Sequence, residues 1–253
     1  MVISVLSGKG GTGKTTVVAA LSELAKNVIK VGCDVDAPNL YLFYKGMDIE
    51  QQIFYGGKKA KINKSLCIEC EICEEVCKFS AIKKGTIDAF SCEGCGACTL
   101  LCPQKAIELV DEKTADTFIT KTDKGMISRA MMGIGSDGSG KLVTQLRKNA
   151  KRFIDNNSIV ILDGSPGIGC SVIASITDTD IALIVTEPTR SGLDDLKRIL
   201  ELAKHFETQV MICVNKYDIN LEMTAQIENY AKEKNLSVVG KIPFDQLVMK
   251  SVN

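Results

Sequence analysis

The sequence has no tryptophan, a single histidine and few other aromatic residues. Aromatic residues make up 5% of the 253-residue chain, which argues against a surface on which nucleic-acid bases stack. Basic and acidic residues are equal in number, so the formal net charge is zero and a broad positive field is also lacking. Both absences lead us to expect no nucleic-acid partner.

Long apolar runs are absent as well. No segment approaches the roughly 20 residues that a membrane-spanning helix needs, and the apolar start MVISVL (1–6) is too short for a signal peptide. We therefore predict a cytoplasmic protein without a stable membrane anchor.

Cysteine, in contrast, is abundant. The chain has eleven cysteines, and eight of them lie between residues 67 and 102. In a reducing compartment such clustering indicates metal binding or catalysis rather than disulfide bonds.

Apolar strand patterns alternate with helical patterns outside this cluster, which is typical of an α/β fold. The alternation predicts a mostly parallel sheet flanked by helices, whose ligands bind beyond the carboxyl ends of the strands. The strand candidates are residues 1–6, 28–36, 158–167, 181–188, 210–216 and 238–245. The helix candidates are residues 14–27, 141–155, 192–206 and 221–235.

The segment GKGGTGKTT (8–16) follows the first strand and opens the first helix, as a phosphate-binding loop does. Its glycines let backbone N–H groups wrap phosphates at a helix N-terminus. Lys14 is placed to reach the β- and γ-phosphates, and the Thr15 hydroxyl is placed to bind Mg²⁺. The predicted nucleotide-binding residues of this loop are Gly8, Lys9, Gly10, Gly11, Thr12, Gly13, Lys14, Thr15 and Thr16.

Three aspartates stand at predicted strand ends. Asp34 and Asp36 lie in CDVDAPN, and Asp163 lies in ILDGSPG. In isolation such residues are as often helix caps as functional groups. Downstream of a phosphate loop they are candidates for phosphoryl transfer, which needs mainly positioning and charge neutralisation.

The cysteine cluster is an internal repeat of 25 residues. Each copy has the bacterial ferredoxin spacing C-x₂-C-x₂-C-x₃-C, in which the fourth cysteine ligates the other cluster. Zinc is the alternative, but its sites have different spacing. The first copy has Lys78 where the motif expects proline. We predict two 4Fe–4S clusters, one held by Cys67, Cys70, Cys73 and Cys102, and the other by Cys92, Cys95, Cys98 and Cys77.

Together these motifs resemble the MinD/ParA/nitrogenase iron protein superfamily of P-loop ATPases with an inserted two-cluster ferredoxin domain. The predicted ATPase domain comprises residues 1–61 and 111–253, and the predicted small α+β ferredoxin-like insert comprises residues 62–110. Such an insert is too small for a strong apolar core and depends on its clusters to fold. The basic run GGKKAKINK (56–64) leads into it, and we expect a solvated linker there, with a docking patch as the alternative.

The resemblance also implies roles for individual residues. Lys9 would cross a nucleotide-dependent homodimer to touch the partner's phosphates, and Asp36 would orient the attacking water. Asp34 and Asp163 would lie around Mg²⁺, so Lys9, Lys14, Asp36 and Asp163 form the expected catalytic set.

The identity of the base is open at this point. The resemblance implies that Asn215 reads adenine and that the turn with Pro243 and Phe244 packs near the base. The segment VNKYD also places Asp218 as in the guanine-selecting NKxD motif. We expect ATP, with GTP as the alternative.

Three functions are compatible with these features. The first is an ATP-driven redox device that delivers electrons through its clusters to an unidentified redox protein. The second is an iron–sulfur cluster carrier or assembly ATPase, against which full eight-cysteine ligation argues. The third is a spatial organiser like MinD and ParA, with the ferredoxin domain as a sensor. Of the other cysteines, Cys33 and Cys213 are expected in the core, and Cys170 is expected to be a packed thiol. The alternative for Cys170 comes from the resemblance: it falls seven residues after Asp163, where the nitrogenase iron protein has a ligand of an intersubunit cluster.

Overall fold

Strands and helices alternate along most of the chain, as the apolar pattern predicts. The computed structural model describes residues 1–136 and 139–252. In chain order the elements are β1 (Val2–Ser7), α1 (Lys14–Leu24), β2 (Val28–Gly32), β3 (Gly46–Ile62), α2 (Ile72–Val76), β4 (Ile82–Lys83), β5 (Thr86–Ile87), α3 (Ala97–Leu101), β6 (Ile107–Thr122), β7 (Gly125–Met132), α4 (Gly140–Lys151), β8 (Ile159–Pro166), α5 (Cys170–Ile176), β9 (Ile181–Thr186), α6 (Arg190–Ala203), β10 (Gln209–Asn215), α7 (Leu221–Glu233), β11 (Ser237–Ile242) and α8 (Gln246–Val252). Two 3₁₀ turns lie at Leu40–Phe43 and Tyr217–Ile219.

Within the described residues, nine of the strands form one sheet in the order β11-β10-β9-β1-β8-β2-β7-β6-β3. Strand β1 pairs in parallel with β8 and β9, β10 pairs in parallel with β9 and β11, and β2 pairs in parallel with β8 and β7. The predicted α/β fold with a mostly parallel sheet is therefore confirmed. Because these strands run the same way, the segments that follow β1, β2 and β8 meet at one edge of the sheet.

Helices cover both faces of this sheet. On one face, Ile176 of α5 and Ile199 of α6 pack with Leu6 of β1 in one buried cluster. On the other face, Val17 and Val18 of α1 belong to a second buried cluster. Helices α4, α6 and α7 begin at side-chain caps, where Ser139, Thr189 and Asn220 accept backbone N–H groups of the first turn.

The chain divides into two units. Unit 1 comprises Met1–Gln52, Thr117–Met131 and Gly138–Asn253, and unit 2 comprises Ile53–Asp116 and Met132–Asp137. Unit 2 is thus longer than the insert expected at residues 62–110, because strands β3 and β6 continue on both sides of that segment.

Within unit 2, β4 and β5 form an antiparallel pair in which Ile82 lies opposite Ile87. A small buried cluster joins Ala60, Ala81, Ile82, Cys92, Cys98 and Ile107. Two of these six residues are cysteines, and the partly buried Cys73, Cys77 and Cys102 pack against the cluster.

The expectation of a solvated linker at residues 56–64 is wrong, because most of that run belongs to β3. Its lysines pair with acidic side chains of β6: Lys58 Nζ lies 3.4 Å from Asp111 Oδ1, and Lys59 Nζ lies 3.4 Å from Glu112 Oε2. Strand β3 is the last in the sheet order, and charged lysines are tolerated on such an edge strand. None of the helices in the described residues is long and apolar enough to cross a membrane.

Candidate functional site

The predicted phosphate loop and two of the predicted aspartates come together at the carboxyl ends of the strands. The Lys14 side chain is only 6% exposed, and its Nζ lies 3.2 Å from Asp163 Oδ1 and 3.3 Å from Asp34 Oδ2. The Thr15 hydroxyl donates a hydrogen bond of 2.9 Å to Asp163 Oδ2. In this arrangement the two carboxylates and the hydroxyl can bind a divalent cation. The ammonium group can bind a phosphate beside it.

Burial dominates the electrostatics of Asp163. It raises the pKa of this carboxyl, while the nearby Lys14 ammonium and the Thr15 hydroxyl oppose the rise. A second cation near Asp163 would favour the ionised carboxylate further. The third predicted aspartate, Asp36, is exposed, four residues beyond the end of β2.

Lys9 contacts the segment that joins β9 to α6. Its Nζ donates to Ser191 Oγ at 2.9 Å and to Thr189 Oγ1 at 3.4 Å, and it lies 3.7 Å from Glu187 Oε2. The other oxygen of Glu187 pairs with Lys216 Nζ. Our reading of the sequence missed Glu187 as a partner of two lysines, although its position directly after a buried strand was a usable signal.

The predicted base-reading residues surround a cavity of about 550 Å³. Asn215 Nδ2 donates 2.8 Å to the backbone oxygen of Thr12, which holds the end of β10 against the phosphate loop. Gly13 has a φ of +85°, and a Cβ atom there would lie 2.3 Å from Asn215 Nδ2, so only glycine fits. The lining residues are Gly11, Gly13, Thr16, Val17, Ala20, Asn215, Lys216, Ile242, Pro243, Phe244, Asp245 and Val248.

The eight clustered cysteines surround two cavities in unit 2. The first, of about 250 Å³, is lined by Cys67, Cys70, Cys73 and Cys102. The second is narrower, about 20 Å³, and is lined by Cys77, Cys92, Cys95 and Cys98. In each cavity three thiols come from one repeat and the fourth comes from the other repeat.

The two repeats also match in their backbone. Ala81 N donates to Cys77 Sγ at 3.4 Å, and the equivalent Ala106 N donates to Cys102 Sγ at 3.3 Å. Left-handed backbone occurs at three equivalent positions, where the first repeat has Glu69, Glu71 and Ser80 and the second has Gly94, Gly96 and Lys105.

The donor set of these cavities suits an iron–sulfur cluster. Thiolates are the usual ligands of a 4Fe–4S cluster, four to each cluster. No three histidine, cysteine or acidic side chains in the described part of the chain are arranged to hold a single metal ion. A 4Fe–4S cluster binds each cysteine through a different iron, so its ligands need not converge on one point. The narrow second cavity would have to widen to accept one.

A comparison with known proteins identifies the family of this chain. The profile of the CobQ/CobB/MinD/ParA nucleotide-binding domain family matches residues 3–253. The chain belongs to this family. An uncharacterised protein of Methanocaldococcus jannaschii is 34% identical over 232 residues, which cover 87% of this chain and 79% of that protein.

Two further similarities concern the family fold and a short segment. The septum site-determining protein MinD of Pyrococcus horikoshii, solved in complex with Mg-ADP, has a TM-score of 0.56 and 20% identity, and the match covers 99% of this chain and 84% of that one. One component of an ion-translocating oxidoreductase complex of Methanosarcina acetivorans is 49% identical over 47 residues, which are 17% of this chain and 18% of that protein.

The other three cysteines of this CobQ/CobB/MinD/ParA family member differ in exposure. Cys33 and Cys213 are buried as expected, and burial raises the pKa of their thiols to about 12 and about 11. Cys170, at the start of α5, is exposed, so the expectation of a packed thiol is wrong there. Cys170 is the first residue of this short helix, whose buried residues are Val172, Ser175 and Ile176.

Proposed function

We propose that this protein is an ATPase that couples the nucleotide state of a homodimer to electron transfer through two 4Fe–4S clusters. The observation that carries the proposal is that eight cysteines line two cavities in a chain that also has a complete phosphate loop. Membership of the nucleotide-binding family and the short similarity to a component of an oxidoreductase complex support the two halves of the proposal separately.

ATP and Mg²⁺ are the proposed ligands of the phosphate loop. Lys14 would neutralise the β- and γ-phosphates, and the Thr15 hydroxyl would bind the metal ion, with Asp34 and Asp163 beside it. Lys14 is paired with both carboxylates, so phosphates would compete for its ammonium group, and Asp34 and Asp163 would then be available to hold Mg²⁺. Asp36 is exposed and is proposed to orient the attacking water. The MinD structure with Mg-ADP supports this choice of ligand.

Lys9 is the residue proposed to act across the dimer. Its Nζ is held by Ser191, Thr189 and Glu187 of its own chain and is 30% exposed. Reaching the phosphates of a second chain would require these contacts to break. Exposed contacts of this kind contribute little to stability, so exchanging them for contacts with phosphates costs little free energy.

The two clusters are proposed to be held by the cysteine sets that line the two cavities. When bound, they would supply one-electron transfer. The Ala81 and Ala106 amides, which donate to the sulfurs of Cys77 and Cys102, would help to hold these two ligands in place. Cysteine ligands lose their protons when they bind iron, so cluster assembly is expected to release protons.

Chain connectivity suggests how the two activities are coupled. The chain enters unit 2 after the segment with Asp34 and Asp36, and it reaches Asp163 only after leaving that unit. Displacement of either aspartate segment by the γ-phosphate would therefore act on a connection to unit 2. The coupling must be reciprocal, so the oxidation state of the clusters would also change nucleotide affinity.

An anaerobic redox titration followed by EPR tests the proposal on reconstituted protein, with and without Mg-ATP. We expect two interacting 4Fe–4S signals whose potentials shift when nucleotide is added. The Lys14→Ala variant should keep both signals and lose the shift. Two signals that ignore nucleotide in the wild-type protein would refute the coupling, and absence of both signals would refute the clusters.

Iron content provides a separate test of the ligand sets. Cys77→Ser should damage the cluster of the second repeat, although Cys77 belongs to the first. The matched control is Cys33→Ser, a buried cysteine outside both cavities. Equal iron loss in the two variants would contradict the assignment.

A further inference from the structure

We propose that Lys59 raises the reduction potential of the 4Fe–4S cluster proposed for the second cysteine set. This set comprises Cys77, Cys92, Cys95 and Cys98. The inference rests on the proposed function and deepens it, because it names a residue that makes one of the two clusters easier to reduce. Lys59 lies in the basic run at residues 56–64, most of which belongs to β3.

Strand β3 lies against the loop that carries the first cysteines of the second repeat. The Nζ atom of Lys59 donates a hydrogen bond of 2.6 Å to the backbone oxygen of Cys92. The next residue, Ala60, donates its backbone N–H to Cys92 Sγ at 3.5 Å. A Cβ atom on Gly94 would lie 2.0 Å from the backbone oxygen of Lys58, so the loop approaches the strand this closely only because residue 94 is glycine. The ammonium group of Lys59 is thus held beside a proposed cluster ligand.

The position of Lys59 makes its charge effective over a short distance. Its side chain is 23% exposed, whereas that of the neighbouring Lys58 is 57% exposed. Glu112 pairs with Lys59 at 3.4 Å and weakens its field, but it is the ammonium group that contacts Cys92. Water and salt screen a partly buried charge less than an exposed one, so the charge of Lys59 acts on the cysteine set beside it.

The sign of the effect follows from the charge of the cluster. Four thiolates outweigh the positive charge of the iron–sulfide core, so a 4Fe–4S cluster with four cysteine ligands is an anion. It gains a further negative charge when it takes up one electron. A nearby ammonium group therefore stabilises the reduced form more than the oxidised form. The N–H of Ala60 acts in the same direction, because hydrogen bonds to cysteine sulfurs are among the features that set cluster potentials.

Burial of the second set acts in the opposite direction. Cys92 and Cys98 are 7% and 8% exposed, and a buried environment disfavours additional negative charge. Without a positive charge close by, burial alone would make a cluster at this position hard to reduce. Lys59 offsets that cost, which gives a physical reason for a lysine at this point of β3.

Two substitutions of Lys59 separate charge from packing. Lys59→Met keeps most of the length of the side chain and removes its charge, whereas Lys59→Arg keeps the charge. Anaerobic titration of the reconstituted full-length protein with sodium dithionite, which supplies one electron to each cluster, gives both midpoint potentials by EPR. In Lys59→Met we expect the equilibrium constant for reduction of the second cluster to fall about tenfold, a shift of about 59 mV to lower potential. Lys59→Arg should keep the wild-type potential, and loss of the shifted signal in Cys95→Ser assigns it to the second set.

Two further variants provide controls with different expected results. Lys58→Met removes a lysine charge from the adjacent position of the same strand, where the side chain points to the opposite face and is more exposed. It should shift the potential much less than Lys59→Met does. Glu112→Gln removes the carboxylate that opposes Lys59 and should raise the potential of the same cluster. A purely structural role would not move the potential in opposite directions in Lys59→Met and Glu112→Gln.

Several results would overturn the inference. Equal shifts in Lys58→Met and Lys59→Met would refute a specific role of Lys59, and so would an unchanged potential in Lys59→Met with its full iron content. If Lys59→Met does not retain the second cluster, Glu112→Gln decides, because absence of a rise in its potential contradicts the electrostatic role. A wild-type protein that holds no 4Fe–4S cluster after reconstitution would refute the proposed function itself, a result distinct from two clusters whose potentials ignore Lys59.

Discussion

Replacement of Lys30 by methionine should stabilise the protein at neutral pH. Lys30 is in the middle of β2 and is fully buried, with its Nζ donating to the backbone oxygen of Lys124 and lying 4.3 Å from the centre of the Tyr44 ring. Burial lowers the pKa of this lysine from 10.5 to about 8, although Glu23 and Asp123 oppose the change. The charged form is therefore disfavoured in the folded protein.

The size of the effect follows from this pKa shift. A fall from 10.5 to about 8 corresponds to about 3 kcal/mol against folding at pH 7 or below. Methionine removes that penalty and also removes the hydrogen bond to Lys124, which contributes about 1 kcal/mol. We expect Lys30→Met to raise the free energy of unfolding by about 2 kcal/mol at pH 7.

The pH dependence distinguishes this reasoning from a simple packing effect. Between pH 8 and 10.5 the unfolded chain holds more protons on Lys30 than the folded chain, so wild-type stability rises with pH through that window. The variant lacks this rise, so its higher free energy of unfolding relative to wild type should disappear near the upper end of the window. Titratable groups that both proteins share affect both free energies of unfolding equally, so their contributions cancel in the difference between wild type and variant.

Urea unfolding of the two proteins between pH 7 and pH 10, without nucleotide and with a reductant, measures this difference. Lys26→Met is the matched control, because Lys26 is exposed and its replacement should have little effect at any pH. A difference between wild type and Lys30→Met that stays constant with pH would refute the reasoning. So would a variant that is less stable than wild type at pH 7.

Three further predictions concern other parts of the chain. Glu71→Gly should stabilise reconstituted protein by about 1 kcal/mol in thermal unfolding, because Glu71 has a φ of +61°. Glu71→Gln is the control, and equal stability of the two variants would contradict this prediction. Thr189→Ala should lose about 1 kcal/mol in urea unfolding, because its hydroxyl accepts Gly192 N at the start of α6, and Thr189→Ser should retain stability. Iodoacetamide at pH 8 should label Cys170 in folded protein and leave Cys33 unmodified, because burial raises the pKa of Cys33 to about 12; labelling of both would contradict its burial.

Local patterns were sufficient to predict six strands of the sheet: β1, β2, β8, β9, β10 and β11. The glycines of the phosphate loop and the apolar strands are short-range signals, and the meeting of Lys14 with Asp163 follows from parallel strands that share one edge. The spacing of the cysteines likewise predicted the two sets that line the cavities. Their role as cluster ligands stays a prediction.

The long strands β3, β6 and β7 were not predicted. Their apolar alternation is weak, and their pairing depends on residues far apart in sequence. One local signal was available: Asp123 and Lys124 join β6 to β7 in a tight turn, and Gly125 begins β7. Gly125 has a φ of +91°, and a Cβ atom there would lie 2.0 Å from the backbone oxygen of Val28, so the turn requires glycine. No local pattern in the sequence predicts that contact with β2.

The exchange of the fourth cysteine has a consequence for the cysteine-rich segment as a whole. Cys102 lines a cavity with three cysteines of the first repeat, and Cys77 lines a cavity with three cysteines of the second. A polypeptide with one repeat can supply only part of a four-thiol set by itself. Removal of either repeat would therefore leave both sets incomplete, so the two repeats make one indivisible unit.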